Sequence, residues 1–245
     1  MRATVISVAV ISVAAVAFAD AAKPPFGPPP VLDVPRLSGA EPTFDGDLSD
    51  PCWQSAAATT NDPAVRVLWS PDALFFAFDC DDAEVLCSGA IPHDGDLFRE
   101  DAFEVFVDGA GDGRAFVELQ VAPDGTTLDM IHLYTADPVA GEDGVVSGCV
   151  AATDRWTLRE WDLSGLRAAA RRREGGWSVE LSVPADPAIL RRTGARAFAP
   201  GAEIRAQFVR CDHPCGVLVQ TTWSPCVAGC PHSSPSRFGF LRLLP

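Results

Sequence analysis

An all-β fold is predicted for this chain: an antiparallel β-sandwich, jelly-roll-like, forming a single domain behind an N-terminal leader. Three observations predict it. Short runs of residues alternate apolar and polar side chains. Asp, Gly and Pro punctuate the gaps between those runs. Helical periodicity is nearly absent, and only 186–193, after Pro184, is patterned for a short helix. No second linker and no internal repeat breaks the series after the leader, and a stretch of about 215 residues suits one such domain.

The elements follow in order. "VLDVPRL" (31–37) reads as an edge strand, because its Pro cannot donate to a ladder. "AVRVLWS" (64–70) and "ALFFAFDC" (73–80) flank Pro-Asp and make a tight hairpin. "DAFEVFVD" (101–108) and "RAFVELQVA" (114–122) flank the turn-rich "GAGDG". "TTLDMIHLY" (126–134) follows Pro-Asp-Gly. "GWSVELSVP" (176–184) puts Trp177, Val179, Leu181 and Val183 on one face and Ser178, Glu180 and Ser182 on the other. "EIRAQFVRC" (203–211), "VLVQTTW" (217–223) and "FGFLRLL" (238–244) complete the set. Trp53, Trp69 and Trp177 fall at inward or capping positions and are expected in the core, whereas Trp156 and Trp161 fall in a loop-like segment.

Residues 1–19 are expected to be a secretory signal peptide. Arg2 precedes an apolar run of mostly small residues, and Ala17-Phe18-Ala19 fits a small-x-small cleavage site. Residues 20–30, "DAAKPPFGPPP", read as a Pro-rich, semi-rigid linker, leaving 31–245 for the sandwich. The expected location is secreted or periplasmic, with no membrane insertion. The net charge is −14, and one unit more negative without Arg2. That balance argues against nucleic acid, whose phosphates need Lys and Arg, and permits neutral sugars and Ca²⁺.

Cysteine usage fits export. The eight cysteines, Cys52, Cys80, Cys87, Cys149, Cys211, Cys215, Cys226 and Cys230, are an even number, which favours disulfides in an oxidising compartment. Cys80 with Cys87 is a candidate local loop closure. Cys211, Cys215, Cys226 and Cys230 are candidates for two bridges stapling a long loop, and with His213 and His232 nearby their alternative use is a Zn²⁺ site.

The stretch "LFREDAFEVFVD" (97–108) poses the functional question. As a strand it directs Phe103, Val105 and Val107 one way and Ala102, Glu104 and Phe106 the other, so a carboxylate interrupts an apolar face. On the next strand Glu118 and Gln120 share a face. The motif order around this stretch resembles a known family. "FDGDLSDPCWQSA", "VRVLWSPDALFFAFDCDD", "LFREDAFEVFVD", "FVELQVAPDGTTLD", "GWSVELSVP" and "PSRFGFLRL" together resemble carbohydrate-binding module family 9 and its stand-alone relatives, over about residues 31–245. The resemblance implies a non-enzymatic carbohydrate-binding protein linked to carbohydrate catabolism. It implies that Phe98 stacks on a sugar ring while Glu104 binds sugar hydroxyls, with Glu118, Gln120, Gln207 and Arg210 adding polar contacts. Where well-studied members carry a second aromatic clamp, this chain has His232, and Trp223 is the candidate for the missing ring.

The resemblance also implies structural Ca²⁺, for which Asp79, Asp81 and Asp82, or Asp94 and Asp96, are the candidate ligands. Two other classes are kept open. One is a haem b electron-transfer domain of related sandwich shape, but Met130 and His132 lie on one strand face, so Met130 is expected in the core. The other is a glycoside hydrolase or accessory domain using Glu104 and Glu118, since adjacent strands bring such carboxylates within the ~5–9 Å range of that chemistry.

Overall fold

The computed structural model describes residues 27–134, 155–190, 193–226 and 231–245, so the expected leader, most of the expected linker, Cys149 and Cys230 lie outside the described residues. Two sheets stack face to face. The larger contains β1 (Val31–Val34), β5 (Ala102–Asp108), β6 (Ala115–Val121), β7 (Thr127–Tyr134), β8 (Arg155–Leu158), β11 (Glu203–Asp212), β12 (Val219–Thr222) and β13 (Gly239–Leu243). The smaller contains β2 (Ala57–Ala58), β3 (Val65–Trp69), β4 (Ala73–Asp81), β9 (Arg167–Arg173) and β10 (Gly176–Pro184). The larger runs β1-β13-β11-β5-β6-β7-β8, with β12 paired to the far end of β11, and the smaller runs β2-β3-β4-β10-β9. All these strand pairs are antiparallel except β1 with β13.

Strand alternation builds the core. Phe103, Val105 and Val107 of β5 meet Phe76 and Phe78 of β4 and Trp177, Val179 and Leu181 of β10 between the sheets. Phe78 stacks on Phe103 at 4.5 Å and meets Trp177 edge-on at 5.0 Å. The outer faces are covered too. Trp53, Leu68, Phe75 and Ala77 pack on the back of the smaller sheet. Phe106, Phe116, Met130, Val209 and Phe238 pack on the back of the larger one. Thus β4, β5 and β10 are apolar or buried on both faces, although the chain is only two sheets deep.

The expected strands all form, and Trp53, Trp69 and Trp177 are buried as expected. The helix patterned over 186–193 appears as α1 (Pro187–Leu190), a single turn. Three strands were illegible, the first being the two-residue β2, which falls outside every expected run. β8 contains Trp156, 64% exposed, in the segment that reads as a loop. β9, "RAAARRR", has the composition of a helix former, and antiparallel pairing with β10 overrides that propensity. The disulfide candidates are corrected in part: Cys80 and Cys87 are free thiols, as are Cys52, Cys211 and Cys215. Cys226 is buried beside the segment that holds Cys230. Cys80 sits within the core on β4, whereas Cys87 is half-buried after the strand ends.

Candidate functional site

The site grows from strand register. Glu104 on β5 lies opposite Gln120 on β6 and Val209 on β11, and Phe106 lies opposite Glu118 and Gln207. On the far side of β6, Glu118 faces Met130, and Phe116 faces His132. Alternation therefore gathers Glu104, Glu118, Gln120, Met130 and His132 on the back of the larger sheet. Two short helical turns roof that face: Leu97–Arg99, which carries Phe98, and Pro231–Ser233, which carries His232.

The second turn is pinned from several sides. The Tyr134 hydroxyl donates to the His232 carbonyl. Arg237, buried in the next turn, donates to the carbonyls of Pro225 and Gly27 at 3.0 Å each, and its own carbonyl accepts from Ser224 Oγ at 2.5 Å. The His232 ring packs edge-on against Phe106 and His132, at 5.2 and 5.3 Å between centroids.

What remains open between these parts is a cleft of about 220 Å³. Phe98, Leu128, Met130 and Leu218 give it apolar walls, while Glu104, Glu118, Gln120, Gln220, Arg159 and His232 supply the polar groups. Glu104, 1% exposed, takes a contact from Cys211 Sγ at 3.4 Å. Arg99, next to Phe98, pairs with Asp96 at 2.9 Å.

Glu118 has the most elaborate surroundings. Its Oε1 accepts from Gln120 Nε2 at 2.7 Å. Its Oε2 accepts from His132 Nε2 at 2.6 Å and His232 Nε2 at 2.8 Å. Because a carboxylate only accepts, both imidazoles carry their proton on Nε2. Burial alone would raise the Glu118 pKa, yet the charge of His232 and the hydrogen bonds from both rings hold it well below the carboxylate range. Burial lowers the His132 pKa despite Glu118, so this ring is neutral, and its Nδ1 lies 3.1 Å from Thr157 Oγ1. The Glu118 carboxylate is thus fully engaged as an acceptor at the floor of the cleft. Gln120 Oε1 is buried with no hydrogen-bond partner among the described residues.

Five of the eight sequence-predicted residues line this cleft: Phe98, Glu104, Glu118, Gln120 and His232. Three do not, and each has a structural reason. Gln207 is fully buried, accepting from Ser224 N at 2.8 Å and donating to Ser224 O at 2.6 Å, so it ties β11 to the segment after β12. Arg210 points through the opposite face of β11, where it reaches the Asp81 carbonyl and Asp212. Trp223 is 4% exposed, stacked on Phe208 at 5.0 Å, so it is core and supplies no clamp. Sequence reasoning missed as cleft residues Leu128 and Met130 on β7, Arg159 just after the unpredicted β8, Leu218 in the β11–β12 connection and Gln220 on β12. The period-2 pattern of "VLVQTT" offered a signal only for Gln220.

The carboxylates proposed for Ca²⁺ fall into different groups, and Asp94 lies with His93 and Asp162. Asp79 and Asp81 both pair with Arg173, and Asp96 pairs with Arg99 and Arg159. Asp82 joins Asp101 and Asp212 in another group. Met130 packs in the cluster behind the larger sheet, not between the sheets. A broader hollow of about 450 Å³ lies on the back of the smaller sheet, lined by Arg66 and by the pairs Arg171–Asp47 and Arg173–Asp79.

No protein-family model matches the chain, and no curated protein matches it. Solved structures do. A carbohydrate-binding module family 9 from Caldicellulosiruptor kristjanssonii in complex with cellotriose is similar over 87% of this chain and 93% of that one, at 13% identity and a TM-score of 0.59. The same kind of module from that organism in complex with glucose gives 15% identity, coverage of 86% and 95%, and a TM-score of 0.53. A protein from Bacteroides uniformis, described as a candidate carbohydrate-binding protein, gives 16% identity, coverage of 88% and 99%, and a TM-score of 0.61. The chain therefore has a carbohydrate-binding module family 9-like fold.

Proposed function

We propose that this protein binds carbohydrate, without turning it over, in the cleft behind the larger sheet. The observation that carries the reading is the cleft's division: a wall of Phe98, Leu128, Met130 and Leu218 faces a polar set of Glu104, Gln120 and His232. A pyranose presents the same division, an apolar C–H face and a rim of hydroxyls. The cleft is smaller than the ~300–1,000 Å³ of a drug-sized pocket, which suits one sugar unit or a chain end. The neighbours' ligands, cellotriose and glucose, support the ligand class. The leader supports export, to the periplasm or beyond, and with it a role in carbohydrate catabolism.

Isothermal titration with glucose, cello-oligosaccharides and xylo-oligosaccharides tests the reading. Saturable heat is expected with at least one of them. Phe98→Ala and Glu104→Gln are each expected to weaken it about tenfold, the equivalent of ~1.4 kcal/mol. Absence of heat with every sugar, or affinities untouched by both substitutions, would remove the proposal. Release of reducing ends during incubation would overturn its non-enzymatic half.

A further inference from the structure

At the floor of the cleft lies a cluster that shares only His232 with the polar set assigned to sugar. The ligating atoms of Glu118, His132 and His232 all lie within 4.8 Å of one another. Glu118 and His132 are buried on adjacent strands, and His232 comes down from the roof with its ring a quarter exposed to the cleft. We propose that these three side chains form a binding site for a late first-row divalent cation, Zn²⁺ being the representative.

The donor set selects the metal. Two imidazoles and one carboxylate suit Zn²⁺ and its neighbours in the series, whereas Ca²⁺ takes six to eight oxygen ligands. The surrounding contacts are those a metal site needs. Gln120 Nε2 holds Glu118 Oε1, which leaves Oε2 to ligate alone and fixes the carboxylate plane. Thr157 Oγ1 sits at His132 Nδ1 and, being a hydroxyl, can donate or accept. It therefore supports His132 equally well after the ring proton moves from Nε2 to Nδ1, as ligation through Nε2 demands.

A second observation points into the same place: Gln120, 2% exposed, leaves its Oε1 unpartnered among the described residues while lining the cleft. A water on the cation's fourth position would reach such an acceptor. The present Nε2–Oε2 separations of 2.6 and 2.8 Å are hydrogen bonds. Tetrahedral ligands with bonds of about 2.0–2.1 Å stand farther apart, so binding exchanges two N–H donors for one cation and spreads the three groups slightly. The partly exposed His232 side chain takes up that spread by a small ring rotation, while its backbone stays pinned.

Co²⁺ is the probe, because thiolate ligation announces itself by charge-transfer absorption and the chain has free thiols. Titrating the full chain with Co²⁺, then displacing it with Zn²⁺, is expected to give one site with ligand-field bands and no thiolate charge transfer. His232→Gln should weaken binding at least tenfold, Glu118→Gln should do the same, and His93→Ala should change nothing. Unfolding of His232→Gln without metal is expected near that of the parent, which separates lost ligation from lost fold. Absence of binding, or binding that carries the thiolate signature and survives His232→Gln, overturns the site. Phe98→Ala is expected to bind Co²⁺ normally while losing sugar, so failure of the sugar reading and failure of the metal site give different results.

Discussion

Two buried carboxylates far from the cleft show how a single residue holds this fold. Glu180, at the centre of β10, accepts from Trp53 Nε1 at 2.9 Å and from the backbone N–H groups of Asp45 and Gly46 at 3.1 and 3.0 Å. It thereby fastens the N-terminal cap to the back of the smaller sheet. Glu180→Ala strands these donors and is expected to cost ~2–4 kcal/mol in urea unfolding, with sugar affinity unchanged because the cleft is on the other sheet. Asp108, at the end of β5, accepts from the N–H groups of Ala110, Gly111 and Gly113 at 3.1, 2.8 and 2.7 Å and so closes the β5–β6 turn. Burial pushes its pKa up to about 6, despite those hydrogen bonds, against ~3.9 in an unfolded chain. The folded protein thus holds this proton more tightly. Asp108's contribution is fully present below pH ~4 and is lost as the pH rises through about 6. Asp108→Asn cannot titrate. The stability of the parent relative to that variant is expected to be about 1 kcal/mol greater at pH 5 than at pH 7, read from paired urea melts.

At the scale of elements, Trp223 marks the junction where three pieces of the larger sheet meet. Its ring stacks on Phe208 of β11 and lies so close to Gly239 of β13 that a Cβ there would stand 2.4 Å from the indole. Trp223→Ala is expected to cost ~3–5 kcal/mol by leaving a cavity, and Gly239→Ala to destabilise by forcing the ring aside. Thermal melts check both, and titration with sugar should return the parent's affinity for the fraction that remains folded. Trp223 also shows where sequence reading stops. The sequence offered it as the candidate for a missing clamp ring, because nothing in a single sequence reveals that β13 returns beside β11 and leaves a glycine-sized gap there. Strands with alternating apolar residues were legible because pleating forces their pattern. β9 was not, since an edge strand packed on one side tolerates Ala and Arg and draws its order from β10. For the cleft, the alternation of β5 and β6 was enough to place Glu104, Glu118 and Gln120 together. Alternation already set Gln207 and Arg210 on opposite faces of β11, and the register of β11 against β5 then decided that Arg210 turns away from Glu104.

For the molecule as a whole, burial on both sides of both sheets separates its chemistry into compartments. Cys211 is fully buried and Cys80 nearly so; burial pushes the Cys80 thiol up to about 12 and raises that of Cys211 well above its usual value. Cys215 is exposed. A thiol reagent at neutral pH should therefore modify Cys215 in the native protein and reach Cys80 and Cys211 only on unfolding; rapid labelling of either buried thiol in the native state would contradict the packing described. Ligand binding couples to the same global unfolding. A sugar that binds only the folded chain, at 100 times its Kd, is expected to raise the unfolding free energy by ~2.7 kcal/mol, a shift of a few degrees in Tm for a domain of this size. That gain should survive added salt, even on a chain of net charge −14, because a neutral ligand held by a ring face and short hydrogen bonds presents no charge for ions to screen. A Tm gain that fades between low and moderate ionic strength would instead mean that the chain captures a charged ligand, through groups other than the Phe98–Glu104 pair.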